Sequence, residues 1–302
     1  MNGGKGVSVV LPNFNGEKLL GKCLDSLFLS LENSALITDY EVIVVDDCST
    51  DDSVKFLREN YSRVNVVESE RNSGFSKTCN KGIGISKNEL VLLLNTDMML
   101  NEAFFDTLIP FFESDDTFSV FCKIVSENGD IQESRKLPLK HLLRIHYNED
   151  FEATGKVLSL YSCGGNMLAS REKLLLLNGF DELYSPFYFE DFDLSLRAWK
   201  RHWKIYYTSE TQCVHKHSAT INNNFTKEQV QSIFIRNKMI FNYRFLPRFE
   251  KCLLFVKIMF HCAQDYLNNR RNKPYRDALR MILTRKVSSC SMNINKLCNL
   301  IK

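Results

Sequence analysis

The chain has 302 residues, enough to bury a substantial core as one large domain or as one domain with an appendage. Hydrophobic residues make up 44% of it and charged residues 25%, a balance that is close to globular averages and excludes gross disorder. The net charge of +3 is unevenly placed, since residues 236–302 hold 15 Lys and Arg against 3 Asp and Glu, and a basic segment of this kind predicts an anionic partner.

Short β-branched runs alternate with helical patterns in the N-terminal third of the chain. The runs predict buried strands over residues 7–11, 41–45, 64–68 and 90–94. Leucines at helical spacing predict a helix over residues 16–31, and another helix is expected over 75–86. Because strands that alternate with helices connect through right-handed crossovers, we expect an α/β fold with a mostly parallel, Rossmann-like sheet flanked by helices.

The rest of the chain is less regular. Strands are expected over residues 118–125, 156–163 and 203–208, and helices over 171–178 and 189–202. From residue 226 onward the pattern is mainly helical and is interrupted by Pro247 and Pro274. We therefore predict an α/β domain over residues 1–235 and a basic, helical C-terminal appendage over residues 236–302.

Polar residues follow the ends of three predicted strands. They are Pro12-Asn13-Phe14-Asn15, Asp46-Asp47 and Asn95-Thr96-Asp97. In open parallel sheets, ligands bind beyond the carboxyl ends of the strands. The sequence therefore predicts a binding site that is built from these three segments.

The three segments belong to a longer series of motifs. The series consists of Pro-Asn-Phe-Asn-Gly at 12–16, Val-Asp-Asp-Cys-Ser-Thr-Asp at 45–51, Asn-Ser-Gly-Phe at 72–75, Asn-Lys-Gly at 80–82, Leu-Asn-Thr-Asp at 94–97, Cys-Gly-Gly-Asn at 163–166, Gly-Phe-Asp-Glu at 179–182 and Phe-Glu-Asp-Phe-Asp-Leu at 189–194. In this order, the motifs resemble those of glycosyltransferase family 2, and within it the rhamnosyltransferase-like members. The resemblance implies a GT-A fold and an inverting transfer of a sugar.

The resemblance implies that Asp47 holds the base of a nucleotide-sugar donor. A carboxylate at a strand end can accept the imide N–H of uracil or thymine, so we expect a uridine or thymidine diphosphate sugar. The alternative is that Asp46 and Asp47 only cap the helix that follows. The other residues expected to bind the nucleotide sugar are Pro12, Asn13, Asn15, Asn72, Gly74, Asn80, Thr96 and Gly165.

Asp97 is the candidate metal ligand. A diphosphate leaving group requires charge neutralisation, and Mg²⁺ or Mn²⁺ prefers carboxylate and phosphate oxygens. The family's usual Asp-x-Asp motif reads Asn95-Thr96-Asp97 here, so Asp97 is its one carboxylate. The resemblance adds His215 or His217 as a second ligand, and the alternative is a structural or exposed histidine.

Asp191 is the candidate catalytic base, with Glu190 as its acidic neighbour. An inverting transfer requires a carboxylate that removes the proton of the acceptor hydroxyl. The pair opens a predicted helix, whose N-terminal dipole favours ionised carboxylates. The alternative is that these acids only complement the helix dipole.

The expected acceptor is a glycan or a lipid-linked glycan of surface polysaccharide biosynthesis. The chain lacks the Gln-x-x-Arg-Trp motif of processive members, so we expect a single addition. The basic, partly apolar residues 248–280 predict contact with an anionic membrane surface, and a helical lid is the alternative. The sequence contains no C-x-x-C pair and no run long enough to span a membrane, which favours a cytoplasmic protein that is peripheral on the inner face of the plasma membrane. It contains no nucleic-acid-binding motif, so we expect no binding to nucleic acid.

Two other classes of protein stay open. A nucleotidyltransferase on a similar sheet would need a Gly-rich, basic loop after the first strand, where this chain has Pro12-Asn13-Phe14-Asn15. A catalytically inactive sugar-nucleotide-binding protein is the other class. The presence of Asp97 and Asp191 argues against it, whereas Asn95 favours it.

Overall fold

The computed structural model describes residues 4–216, 225–267, 273–284 and 287–301. Within these ranges the chain folds as two compact units. The first unit contains residues 4–136, 149–186 and 190–216, and the second contains residues 137–148, 187–189 and the described residues from 225 onward. The domain division expected between residues 235 and 236 stays a prediction.

A mixed sheet flanked by helices forms the first unit. Its strands are β1 (Lys5–Asn13), β2 (Ile37–Asp46), β3 (Val64–Glu68), β4 (Leu90–Leu94), β5 (Met98–Leu100), β6 (Thr117–Ser126), β7 (Ile131–Glu133), β10 (Lys156–Leu158), β11 (Asn166–Ser170) and β12 (Lys204–His215). A separate hairpin is formed by β8 (Arg135–His141) and β9 (Arg144–Asp150), and its residues 137–148 belong to the second unit. The helices of the first unit are α1 (Glu17–Asn33), α2 (Ser53–Asn60), α3 (Phe75–Ile85), α4 (Phe104–Leu108), α5 (Arg171–Leu176) and α6 (Glu190–Lys200), with 3₁₀ turns at Ile109–Glu113 and Glu182–Tyr184.

The strand order is β10-β12-β6-β11-β4-β1-β2-β3, with β5 paired to β12 and β7 to β6. The four strands from β4 to β3 are parallel, whereas β11 runs antiparallel between β4 and β6. The carboxyl ends of β1, β2 and β4 therefore lie along one edge, as the sequence predicts.

The core of this unit is formed around β1. Val9 and Val10, which point to opposite faces of the sheet, are both fully buried, as expected for a central parallel strand. Val9 belongs to one hydrophobic cluster with Leu24 and Leu27 of α1. Burial of each such side chain contributes about 1.5–3 kcal/mol, so the packing holds the strand ends in place.

The predicted α/β class is confirmed, and β3 and β4 match the predicted strands. Two strand predictions are wrong in extent. The strand expected over 156–163 ends at Leu158, and the strand expected to end at residue 208 continues to His215. The register of β12 shifts between Thr208 and Gln212, so the segment that follows residue 208 contains a bulge and remains part of the strand.

Helices make up most of the second unit. They are α7 (Lys227–Phe245), α8 (Arg248–Leu267), α9 (Lys273–Thr284) and α10 (Ile294–Ile301). Thr226 and Gln229 form a capping box that starts α7, and Pro274 lies in the first turn of α9, where a missing N–H is tolerated. In the part of the chain that the structure describes, no helix has the length and apolar character needed to span a bilayer.

Candidate active site

Asn13 and Asp46 end β1 and β2 as a paired position of the sheet. The Asn13 side-chain amide donates to Asp46 (2.8 Å), and Asp46 also accepts from the backbone N–H (2.9 Å) and hydroxyl (2.6 Å) of Ser49. These bonds shape the turn after β2. Asn13 Oδ1 is buried and has no hydrogen-bond partner among the described residues, so it can accept a bond from a ligand.

Asp47 holds the loop that precedes α3. Its carboxylate accepts from the backbone N–H groups of Ser73 (2.9 Å) and Gly74 (2.8 Å) and is buried. Gly74 has a φ of +86°, and a Cβ at this position would lie 3.0 Å from the Cα of Pro186. Glycine is therefore required here, and Asp47 has a structural role besides the predicted contact with a base.

The other residues predicted to bind the nucleotide sugar differ in burial and in the hydrogen bonds that they already make. Asn15, with a φ of 53°, accepts from the Thr50 N–H (2.7 Å), and Pro12 pairs with Val45 inside the sheet. Both ends of the Asn80 amide bond the backbone of Phe180 (2.8 and 2.9 Å), so this side chain joins α3 to the turn at 179–182. Asn72 is exposed, whereas Thr96 is buried.

Strand pairing brings Asp97 beside His215. Met98, the first residue of β5, pairs with His215 at the end of β12, and His215 Nε2 lies 3.3 Å from Asp97 Oδ2. On the other side of the ring, Nδ1 lies 2.6 Å from Gln132 Oε1. An amide oxygen only accepts, so Gln132 places a proton on Nδ1 and leaves the lone pair of the neutral ring on Nε2. Gln132 carries no motif and was not predicted.

The Asp97–His215 pair fits a divalent cation. Asp97 Oδ1 is buried and has no hydrogen-bond partner among the described residues, which leaves a carboxylate oxygen for a hard metal ion. When the ring is protonated, Nε2 donates to Asp97, and this hydrogen bond raises the pKa of His215 against the opposing effect of burial. A metal ion bound to Nε2 would replace that proton. No cluster of three His, Cys, Asp or Glu ligands occurs in the described ranges, so diphosphate and water would complete the coordination. His217 lies outside the described residues.

A glycine segment joins this pair to the predicted base. The backbone N–H of Asn95 donates to the carbonyl of Gly165 (3.0 Å), and the backbone N–H of Gly164 donates to the Asp191 carboxylate. A Cβ on Gly165 would lie 2.9 Å from the methyl group of Met98 and 3.1 Å from the amide nitrogen of Asn95, so a larger residue would require these side chains to move. The metal motif and the base are thus connected through two adjacent residues.

Asp191 and Glu190 open α6 with different environments. Burial raises the pKa of Asp191 to about 6, and the N–H groups of Phe192 and Gly164 oppose the rise. Glu190 is buried, its Oε2 has no hydrogen-bond partner among the described residues, and burial and the charge of Asp191 raise its pKa well above the usual range. The environments therefore favour a protonated Glu190 beside an Asp191 that is ionised near neutral pH.

A buried ion cluster near Asp191 has no sequence signal, because β7, β8 and β9 each contribute to it. The fully buried Lys136 contacts Glu133 and Glu149, and its Nζ lies 5.6 Å from the centre of the Tyr161 ring. The charge of Glu133 raises the pKa of Asp191, and that of Lys136 lowers it. The cluster therefore tunes the predicted base.

Two strained residues precede α6. Tyr188 and Phe189 have φ values of 75° and 76°, which are unusual for bulky side chains. Within the second unit, the Asn237 side chain of α7 donates to the carbonyls of Phe187 and Tyr188 (2.9 Å each). Strain of this kind occurs at functional sites when surrounding bonds hold it, and Asn237 supplies such bonds.

The sequence profile of the family described as "Glycosyl transferase family 2" matches residues 8–175. The matched range contains Asp47, Asp97 and Gly165 and ends before Glu190 and Asp191. More than half of the chain, including the first two strand-end segments and the metal motif, therefore has the pattern of this family.

A curated relative is the poly(ribitol-phosphate) beta-glucosyltransferase of Bacillus spizizenii. It is 39% identical over 95 residues, which make up 30% of this chain and 14% of that protein. The chain thus matches only a small part of the relative's length.

Solved structures with a similar fold include two complexes with nucleotide sugars. S. aureus TarS 1-349 with UDP-GlcNAc has a TM-score of 0.58 and 18% identity, over 93% of this chain and 82% of that one. The mannosyltransferase PcManGT from Pyrobaculum calidifontis, with GDP-Man and Mn²⁺, has a TM-score of 0.58 and 15% identity, over 99% and 80%. These similarities confirm the predicted GT-A fold.

Proposed function

The chain belongs to glycosyl transferase family 2, and from this membership we propose that it moves one sugar from a uridine or thymidine diphosphate sugar to an acceptor hydroxyl, with inversion. The position of Asp191 carries the proposal. Its carboxylate has a pKa raised to about 6, accepts from Gly164, and is joined through Gly165 to the Asp97 motif. A base of that pKa is largely ionised at neutral pH and still accepts a proton readily.

In the proposed reaction, Asp191 takes the proton of the acceptor hydroxyl. The acceptor oxygen forms a bond to the anomeric carbon while the bond from that carbon to the diphosphate oxygen breaks, and the nucleoside diphosphate leaves with the electron pair. Gly164 orients Asp191 through its backbone N–H. Attack on the face opposite the leaving group inverts the anomeric configuration.

We propose that the diphosphate of the donor lies between the strand ends and α6. Asp97 and His215 would hold Mg²⁺ or Mn²⁺, which supplies charge neutralisation for the leaving diphosphate. Asp47 and the loop at 72–74 would hold the pyrimidine base, with Asn13 Oδ1 as a further acceptor. The similar fold of TarS 1-349 with UDP-GlcNAc supports a uridine donor, and that of PcManGT supports a metal.

We propose a glycan or lipid-linked glycan of surface polysaccharide biosynthesis as the acceptor. The poly(ribitol-phosphate) substrate in the name of the Bacillus relative supports this class. The basic C-terminal segment supports a location on the cytoplasmic, anionic face of the plasma membrane, where a lipid-linked acceptor would be found.

A donor-hydrolysis assay tests the function. The full chain is incubated with Mn²⁺ and a panel of UDP-, dTDP- and GDP-sugars, and release of the nucleoside diphosphate is measured. We expect turnover with a uridine or thymidine donor, and a loss of at least a hundredfold in Asp191→Asn. Asp52→Asn, which changes an exposed carboxylate in the same unit, is the matched control.

Two results would overturn the proposal. Donor binding without turnover in any condition would instead support an inactive sugar-nucleotide-binding protein. Formation of a nucleotide sugar from a nucleoside triphosphate and a sugar phosphate would instead support a nucleotidyltransferase. Unchanged turnover in Asp191→Asn would remove Asp191 from the mechanism.

A further inference from the structure

Helix α8 of the second unit presents an apolar stripe to solvent. Its exposed side chains are Phe249 (72%), Leu253 (37%), Val256 (63%), Met259 (45%) and Phe260 (59%). Steps of three and four residues place them on one face of the helix, while Leu254 and Ile258 are buried. A contiguous apolar patch on a protein surface indicates a binding partner.

The tip of the β8–β9 hairpin lies beside the first turn of this helix. Glu250 of α8 binds Lys140 and accepts from the backbone N–H of Leu143 (3.2 Å). Leu142, the residue between them in the turn, is 74% exposed. The tip therefore adds a further exposed apolar side chain beside the first turn of α8, where the stripe begins.

A group of basic side chains lies on the hairpin and on helices α7 and α8, and we call it the cationic group. Its cations are Arg144 of the hairpin, Lys238 of α7 and Lys257 of α8, and His146 Nδ1 lies 3.5 Å from Arg144 Nη2. Burial and the charges of Arg144, His141 and Lys238 lower the pKa of His146, and burial and the charges of Arg144 and Lys257 lower the pKa of Lys238. Arg144, Lys238 and Lys257 are thus close enough to repel one another, and an anionic partner would relieve that repulsion.

Lys257 connects the two features. It lies on α8, one turn after Leu253 and three residues before Phe260, and it is exposed. Its charge acts on Lys238, which belongs to the cationic group. The apolar stripe and the cationic group therefore form one surface, which we call the docking face.

We propose that the docking face binds a bilayer that contains anionic phospholipids. Leu142 and the apolar stripe would enter the boundary between headgroups and acyl chains, and the cationic group would contact lipid phosphates. A second copy of the chain fits less well, because a two-fold dimer would bring two like-charged groups together. The membrane location of this proposal rests on the proposed function. The contact is assigned to α8 and the hairpin tip, since Arg270 and Arg271 of the basic segment predicted from the sequence lie outside the described residues.

Vesicle flotation of the full chain tests the docking face. The wild type is expected to float with phosphatidylcholine vesicles that contain phosphatidylglycerol, to stay behind with phosphatidylcholine alone, and to be released by added salt. The double variant V256E/F260E is expected to lose at least tenfold in partitioning. Leu176→Glu, which adds a charge at a 53% exposed leucine of α5, is the matched control and should bind as the wild type does.

The charges are tested separately. Arg144→Gln and Lys257→Gln are each expected to weaken binding to anionic vesicles roughly fivefold, because each cation near such a surface contributes to binding. Lys55→Gln, at an exposed lysine of α2, should have no effect. Circular dichroism and donor hydrolysis confirm that each variant is folded.

Three outcomes would overturn the docking face: equal binding to neutral vesicles, unchanged binding of V256E/F260E, or a dimer that V256E/F260E dissociates while vesicles bind nothing. Its failure can be separated from failure of the proposed function. Vesicle binding through this face without any donor turnover would support the docking face and refute the proposed sugar transfer. Donor turnover without vesicle binding would do the reverse.

Discussion

The pH dependence of sugar transfer follows from the environment of Asp191. Its pKa is raised from 3.8 to about 6, mainly by burial, so the proposed base loses its proton as the pH rises through about 6. By this titration, about a tenth of the protein has an ionised Asp191 at pH 5 and about nine tenths at pH 7. We therefore expect kcat/KM to fall about tenfold between pH 7 and pH 5, whereas a carboxylate with its ordinary pKa would leave it nearly unchanged.

The assay measures donor turnover with a saturating acceptor or, without one, donor hydrolysis at saturating Mn²⁺. Glu133→Gln removes a charge that raises the pKa of Asp191, so the acidic limb of the pH–rate profile should move to lower pH in this variant. Glu127→Gln, at an exposed position, should leave the limb where it is. Mn²⁺ affinity measured over the same pH range distinguishes the titration of His215, which would change metal binding, from the titration of Asp191. A rate that is constant down to pH 5, or a limb that Glu133→Gln leaves in place, would refute the reasoning.

Substitutions at three further positions test the other parts of the site. Asp97→Asn should lower Mn²⁺ affinity at least tenfold in electron paramagnetic resonance titrations with UDP present, and unchanged affinity would exclude Asp97 as a ligand. Gln132→Leu should weaken Mn²⁺ binding by about ten- to a hundredfold at an unchanged melting temperature, while Gln132→Glu keeps the acceptor and the affinity; equal behaviour of the two would refute the positioning role. Lys136→Met leaves Glu149 partly buried without its cation, so urea denaturation should show a loss of about 3–5 kcal/mol, and a loss below about 1 kcal/mol would show that the cluster is dispensable.

The sheet was predictable because its signals are local. Runs such as Leu90–Leu94 are apolar along their whole length, which is typical of a strand buried on both faces, and they end at polar residues. The family motifs locate Asp97 and Asp191 for the same reason, since each has its neighbours in the sequence. The extent of β12 was not predictable, because a bulge between Thr208 and Gln212 interrupts its pattern and pairing with β6 continues it.

The roles of Asn80 and Asp47 show how the structure extends a motif. Both residues belong to motifs that the resemblance associates with the donor. In the fold, Asn80 joins α3 to Phe180, and Asp47 holds the loop at Ser73 and Gly74. A sequence motif identifies which residues are of interest. The hydrogen bonds that those residues already make within the protein depend on which segments meet in the fold.

The sequence alone determined the fold class, the edge of the sheet at which the candidate site is proposed, and the candidate acids, because each depends on spacing along the chain. The tertiary structure alone decided the environment of those acids. Gln132 reaches His215 from a different strand, Lys136 and its two glutamates converge from three strands, and Gly164 donates to Asp191 from a loop. A pKa or a tautomer depends on burial and on neighbours that are distant in sequence, so no local pattern specifies it.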